Sequence, residues 1–401
     1  MFENLVAQPA DALLNLIKLH NADPRVDKID LGVGVYRTGQ GDTPVFAAIK
    51  QAEAKLLATQ NSKAYLGPEG DMGFVHALMP YIFGAAGSNG AVDMARIEGM
   101  QAPGGTGGVR LAIDLARRAG IKRVWMGTPS WPNHAQIIAA SGLELKTFGH
   151  MTKAGTADLD ALLEALREAD SATDAVLLHG CCHNPTGVDY TPAQWDEIAA
   201  LFGQTGVLPI LDLAYQGLGH GMEADAYGVR KVCAAVPEAL IAYSCDKNFG
   251  MYRDRVGAFY VMTRDGADLD NALSNGAAIA RASWSMPPDH GAAAVRLILE
   301  DAGMTAMWLD ELDTMRARMR QVRERLAAAG TIKGGKGGPI DMVAVGAQSG
   351  LFSMLPLTSE QIMTLRSKHG IYMAGSGRIN IAGLTVGNIE AFIAALADVA
   401  G

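Results

Sequence analysis

DAVLLHGCCHNPTGVDYTPAQWDEIAALFGQTGVLPILDLAYQG, residues 174–217, places a helical stretch between two short apolar runs. DAVLLHG (174–180) and VLPILDLA (207–214) lack the polar alternation of a half-exposed strand, so both read as strands covered on each face. AQWDEIAALFGQTG (193–206) has helical spacing and ends on a glycine. Strand, helix, strand in this order predicts a crossover unit with parallel pairing.

The same alternation extends on both sides. RVWMG (123–127), LELKTF (143–148) and EALIAYS (238–244) read as strands. VFAAIKQAEAKLLA (45–58), VRLAIDLARRAG (109–120), HAQIIAASG (134–142) and LDALLEALREA (159–169) read as helices, and a glycine-rich turn, APGGTGG (102–108), precedes the second of them. The expected fold is α/β, a mostly parallel, doubly wound sheet in a large domain. From about residue 290 the pattern changes. A long charged helix (304–330), a turn GGKGGP (334–339) and short strands in MVAV (342–345), GLFSM (350–354) and RINIAG (378–383) predict a smaller α+β domain. The division expected is an arm over 1–12, a small domain from 13–45 and 311–401, and a large domain over 46–310.

Composition narrows the function. The 401 residues are 49% hydrophobic and carry a net charge of −8 without a basic run, which argues against a nucleic-acid partner. The longest apolar runs, such as ALIAY (239–243), are too short to span a bilayer. The start, MFENLVAQPADALLNLIKLH, carries Glu3 and Asp11 and no basic cluster, so an export signal is not expected. Cys181, Cys182, Cys233 and Cys245 have no zinc spacing and read as reduced thiols of a cytoplasmic protein; no metal site is expected.

Several stretches carry chemistry. APGGTGG offers glycines for close approach, the Thr106 hydroxyl and a helix N-terminus, a combination suited to phosphate; alone it reads equally as a tight strand–helix turn. Asn184-Pro185 marks a turn after a buried strand. Asp212 lies among apolar residues at a strand's carboxyl end, with Tyr215 three positions on, and a carboxylate buried there needs a partner. In SCDKNFGMYRDRVG (244–257), Lys247 follows a strand end, where desolvation can free its amine to attack a carbonyl. Ser244 and Arg255 flank it as candidate phosphate ligands. Taken singly, Lys247 reads as a surface lysine and Asp212 as a capping residue. Together they describe an anion cup, an amine for an aldehyde and a carboxylate for a ring nitrogen.

That set, with LGVGVY (31–36), YLG (65–67), PSWPNH (129–134), HGCCHNPTG (179–187), DLAYQG (212–217) and SGRIN (376–380), resembles the class I aminotransferases, in particular the aspartate/aromatic group, over nearly the whole chain. The resemblance implies the pyridoxal-phosphate-dependent transferase fold of type I, with pyridoxal 5′-phosphate held as a covalent aldimine on Lys247. By the same resemblance Asp212 meets the ring nitrogen, Asn184 and Tyr215 the phenolic oxygen, and Trp131 the ring face, while His134 orients Asp212. Gly104, Gly105, Thr106, Ser244 and Arg255 match the phosphate cup, to which Tyr65 is added from a partner subunit. Arg378 matches the clamp on the substrate α-carboxylate, helped by Gly34, Trp131 and Asn184. Arg281, in AIARASWSMPP, matches the arginine that pairs across the subunit boundary with a distal carboxylate. The implied protein is a homodimer with shared active sites, its arm reaching over the neighbour, acting on a small amino acid and a 2-oxoacid.

Two departures stand out. The family has a small hydroxyl residue before the lysine, and here Asp246 stands there; either it turns to meet a cation or the cup binds cofactor less tightly. Ala64 and Met286 replace polar residues of aspartate specialists, which favours aromatic side chains, whereas Arg281, Val35, Arg37 and Thr43 keep an aspartate-type setting. The expected reaction is transfer of the amino group of aspartate, or of a related dicarboxylic or aromatic amino acid, to 2-oxoglutarate, oxaloacetate or glyoxylate by a ping-pong route. Alternatives are a mainly aromatic aminotransferase, a lyase or decarboxylase using the same cofactor, and a non-enzymatic binding protein retaining the fold.

Overall fold

The computed structural model describes residues 1–7, 12–85, 92–334 and 338–401. The chain forms two compact units, one from Met1–Thr43 with Arg318–Gly401 and one from Pro44–Ala317. The boundary falls inside the long helix Ala302–Ala327. Among the described residues no helix is long and apolar enough to cross a membrane.

The larger unit is built on a seven-stranded sheet. Its strands are β1 (Ile97–Pro103), β2 (Arg123–Thr128), β3 (Glu144–Gly149), β4 (Asp174–His179), β5 (Leu208–Leu213), β6 (Ala239–Ser244) and β7 (Val256–Met262). The spatial order is β1-β7-β6-β5-β4-β2-β3, parallel except for β7, which runs antiparallel to both its neighbours. The α/β expectation therefore holds. β1 and β7 were not anticipated as strands, although VGAFYVM in β7 is buried at every position.

Local chemistry explains the crossovers. The helix Pro192–Thr205 begins with a capping box between Thr191 and Gln194, has proline in its first turn, and ends at Gly206 with φ of 70°. It sits between β4 and β5, whose Ala175–His179 and Leu208–Asp212 pair in register. The helix after β1 starts at Gly104, five residues earlier than the sequence suggested, so the glycines form its first turns rather than a preceding loop. Close packing is the reason: a Cβ on Gly105 would lie 2.9 Å from the Ser244 Cβ, and one on Gly108 would lie 2.9 Å from the Ala258 carbonyl oxygen. Only glycines let this helix lie directly on β6 and β7.

The smaller unit has its own core, in which Leu31, Leu326, Met342, Leu365, Ile379, Ile381 and Phe392 are buried. Ile29–Asp30 pairs in parallel with Ile371–Tyr372, and Phe352–Met354 pairs antiparallel with Arg378–Asn380. MVAV was expected as a strand and is instead the start of the helix Met342–Ala347. The Asp341 carboxylate accepts from the Val343 and Ala344 backbone N–H groups at 2.9 and 3.0 Å, and this cap outweighs the strand preference of two valines. Residues 335–337 of the GGKGGP turn and 8–11 of the arm lie outside the described residues.

Candidate active site

The carboxyl ends of the parallel strands converge on one set of side chains. Asp212 stands near the end of β5, in register with His179 at the end of β4. It is buried, and the His134 imidazole donates to its Oδ2 from Nε2 at 2.8 Å. His134 in turn has Ser130 Oγ 3.1 Å from Nδ1. Asp212 Oδ1 is buried and meets no hydrogen-bond partner among the described residues. Burial pushes this carboxyl up, but the His134 hydrogen bond and the nearby His134, His179 and Lys247 charges outweigh it and hold it below the ordinary aspartate range.

Lys247 lies in the turn after β6. Burial lowers its ammonium pKa; Asp246 and Asp212 oppose the shift, Arg255 adds to it, and the net direction is down. Its Nζ is 5.2 Å from the centroid of the Tyr215 ring. The Asn184 side-chain amide donates to the Tyr215 hydroxyl at 3.4 Å, and both residues are buried. Trp131 precedes the helix Pro132–Ala140 and stands edge-on to His134, with ring centroids 5.0 Å apart. Lys247, Tyr215 and Asn184 form one chain of contacts and Trp131, His134 and Asp212 another, with Lys247 and Asp212 close enough for each to shift the other's pKa.

The phosphate-cup candidates also meet. Gly104 has φ of 71°, and a Cβ there would lie 2.5 Å from Arg255 Nη2 and 2.9 Å from Asp246 Oδ2. Ser244 borders Gly105, and Thr106 is half-buried between buried glycines. Asp246 does turn to a cation: its Oδ2 pairs with Arg255 Nη1, and its Oδ1 accepts from the Val256 backbone N–H at 3.1 Å. Arg255 adopts a left-handed backbone, φ 57°, and also donates to the Tyr252 carbonyl at 3.1 Å.

Tyr65 and Arg281 stand differently. Tyr65 is 93% exposed. Arg281, exposed in the last turn of the helix Gly266–Ser283, donates to Ser285 Oγ at 2.5 Å. Met286 Sδ lies 3.1 Å from the Leu66 backbone nitrogen, beside Ala64 and Tyr65 in the chain. Within the smaller unit, Arg378 lies over the Phe352 ring, its guanidinium carbon 4.6 Å from the centroid, and donates to the Gly32 carbonyl at 2.9 Å. The Asn380 amide donates to the Val33 and Val35 carbonyls at 2.6 and 2.7 Å, tying LGVGVY to the strand that carries Arg378. Gly34 faces Phe352 so closely that a Cβ would lie 2.7 Å from the ring. Arg37 forms an ion pair with Asp30 in the same segment.

One feature escaped the sequence reading. Behind Asp212 runs a row of four imidazoles: His134 and His179 have centroids 4.9 Å apart, His179 and His183 are 4.3 Å apart, and His183 stacks on His150 at 3.5 Å. Burial lowers His179 to about 3 and His150 to about 4, and depresses His183 as well. The two histidines of HGCCHNPTG were the available signal. His150 lies beyond a strand end with nothing in its neighbours to mark it.

The carboxyl side of the sheet thus carries a strand-end lysine of lowered pKa, a buried carboxylate with one oxygen held by a histidine, and a glycine-headed helix beside an arginine. The model of the class I and II aminotransferases matches residues 26–396, and the chain belongs to that family. It is 49% identical over 385 residues to a tyrosine aminotransferase of Rhizobium meliloti (strain 1021), covering 96% of each chain. It is 42% identical to the aspartate aminotransferase of Escherichia coli (strain K12), covering 99% of this chain and all of that one. An aromatic-amino-acid aminotransferase from Burkholderia pseudomallei, whose structure is described as covalently bound to pyridoxal phosphate, superposes with a TM-score of 0.93 at 34% identity over the full length of both. The protein is a pyridoxal-phosphate-dependent transaminase of the aspartate-aminotransferase-like class.

Proposed function

We propose that the protein moves the amino group of aspartate, or of a related dicarboxylic or aromatic L-amino acid, to a 2-oxoacid such as 2-oxoglutarate, oxaloacetate or glyoxylate. The observation that carries this reading is the divided Asp212 carboxylate, with Oδ2 held by His134 and Oδ1 buried without a partner. A buried acceptor costs stability unless something donates to it, and a protonated ring nitrogen is such a donor. The residues fit pyridoxal 5′-phosphate: Lys247 would hold it covalently, Asp212 would meet its ring nitrogen, and Asn184 and Tyr215 its phenolic oxygen. Trp131 would cover the ring, and Gly104, Gly105, Thr106, Ser244 and Arg255 would take the phosphate. When bound, the cofactor supplies an electron-withdrawing ring that delocalises charge left at the substrate Cα.

The side chains account for the rest. The lowered pKa of Lys247 leaves its Nζ uncharged at a lower pH than an ordinary lysine, so it can act as nucleophile and then take and return the Cα proton. Arg378 would clamp the α-carboxylate with Gly34, Trp131 and Asn184 alongside, pre-set by its contacts to Phe352 and Gly32. Arg281 would pair with a distal carboxylate. Ping-pong transfer follows, because one site serves the amino acid and the 2-oxoacid in turn.

Arg281 and Tyr65, both exposed, are read as supplied by a second copy in a homodimer with shared active sites. Phe2, Leu5 and Val6 of the arm are 80%, 73% and 81% exposed, as suits apolar residues that a neighbour covers. The protein is read as cytoplasmic, a setting that keeps its four buried thiols reduced. Aromatic substrates are favoured by Ala64 and Met286 and by the Arg281–Ser285 bond, which holds the guanidinium on its own loop. Purified protein should be tested on a panel of amino donors crossed with 2-oxoacids, followed by the cofactor absorbance. Release of carbon dioxide without oxoacid would instead establish the lyase or decarboxylase alternative.

A further inference from the structure

The anion cup of this chain contains its own carboxylate. Asp246 is buried, and its Oδ2 is paired with the Nη1 edge of Arg255. The Oδ2 atom and Arg255 Nη2 both border Gly104, the first residue of the helix whose N-terminus forms the cup. Asp246 therefore lies beside the place where a phosphate would sit and holds one edge of the arginine that would bind it. The charged and titratable groups around it are Arg255, Lys247 and the Cys245 thiol. The remaining contacts are the Val256 N–H, which donates to Oδ1, and Ser244 Oγ, which accepts from the Asp246 backbone N–H at 3.3 Å.

We propose that Asp246 is a built-in counter-anion of the phosphate cup, so that seating a phosphate releases Arg255 from it and draws one proton onto its carboxyl. The proposal rests on the pyridoxal-phosphate reading of the site. Its physical basis is that a second anion on the half-exposed Arg255 guanidinium repels the buried Asp246 carboxylate, and the cheaper neutralisation is of that carboxyl. Burial already pushes Asp246 up, against the pull of Lys247, Arg255 and the Val256 N–H, so the proton has a receptive group. A phosphate-bearing ligand should therefore bind less tightly as pH rises, by about tenfold per pH unit once Asp246 is ionised in the free protein. The same ligand without its phosphate should lack this contribution to the slope.

The test measures dissociation constants of pyridoxal 5′-phosphate and of pyridoxal, from pH 6 to pH 9, for the parent chain, Asp246→Ser and Asp246→Asn. Calorimetry in buffers of different ionisation enthalpy counts the protons taken up. Expected is a gap that opens with pH, both variants binding the phosphate ester at least about tenfold tighter than the parent at the alkaline end and similarly at the acid end. Proton uptake should be greater with the ester than with pyridoxal, and that excess should fall in both variants. Weaker binding by both variants at every pH would show that Asp246 merely positions Arg255 and would overturn the proposal, as would a gap independent of pH. Asp246→Asn, which keeps the side-chain shape, decides the matter if Asp246→Ser does not fold. Borohydride labelling of the parent separates the two levels: cofactor on Lys247 without the pH-dependent gap removes this inference alone, whereas no label on Lys247 removes the reading beneath it.

Discussion

His134 Nε2 donates to Asp212 Oδ2 at 2.8 Å, while Oδ1 of the same carboxylate is buried without a partner among the described residues. One oxygen is spent on orientation and the other is kept for a donor. Asp212→Ala should reduce turnover by at least ~10²-fold, the scale for removing one preorganised charged partner. His134→Ala should cost less, roughly 10–100-fold, the equivalent of one hydrogen bond to a charged group. Single-turnover kinetics with aspartate provide the check, and an equal loss in the two variants would contradict the separate roles.

Lys247→Ala should abolish turnover while leaving pyridoxal phosphate bound without a covalent link. Borohydride followed by peptide mapping should place the cofactor on residue 247 of the parent chain and nowhere in the variant. The depressed Lys247 pKa sets the direction of the pH profile: the uncharged amine is the active form, so the rate rises with pH through that pKa, at lower pH than an ordinary lysine would require.

Arg378 and Arg281 should differ in selectivity. Arg378→Ala should weaken kcat/KM for aspartate and phenylalanine alike, because every amino acid has an α-carboxylate. Arg281→Ala should damage aspartate and glutamate selectively, by about 2–5 kcal/mol, the range for stranding one member of a buried charge pair. Equal losses of aspartate and phenylalanine activity in Arg281→Ala would remove its assigned role.

A site shared between two copies, as proposed above, would allow a complementation test. Lys247→Ala and Arg281→Ala chains, each inactive on aspartate, should regain about a quarter of the parent activity when unfolded and refolded together in equal amounts. Half of the dimers are then mixed, and each has one intact site. Absence of any recovery would place Arg281 in the same subunit's site as Lys247.

The histidine row makes a stability prediction. His179 and His150 have native pKa values of about 3 and about 4 against an ordinary 6.5, so below pH 6.5 the unfolded chain binds more protons than the folded one. Their contribution is complete above pH 6.5 and declines as pH falls, through about 4 for His150 and about 3 for His179. Urea midpoints should drop over that window, and His150→Phe, which keeps an aromatic ring against His183, should flatten the decline.

Much of this protein is legible along the chain because its signals are local. β4 and β5 are continuous apolar runs, the intervening helix carries its own capping box, and Lys247 and Asp212 each follow or end such a run. The misreadings have local causes as well. MVAV looked like a strand because two valines outweighed one preceding aspartate in the pattern, yet that aspartate caps a helix. VGAFYVM begins directly after Arg255 without a turn signal to mark it as a separate strand.

The sequence by itself determined the alternation of strands and helices from β2 to β6, the chemical types available to the site, and membership of a family over nearly the full chain. Those properties depend on neighbours a few residues apart. Only the tertiary structure decided that Asp246 is paired with Arg255, that one oxygen of Asp212 is left open, and that four histidines line up behind it. The reason is spatial: β6 and β7 fold back antiparallel to bring positions 246 and 255 together, and parallel pairing of β4 with β5 sets His179 beside Asp212. Whether a buried charge is satisfied depends on groups distant in the chain, and no local pattern encodes their separation in space.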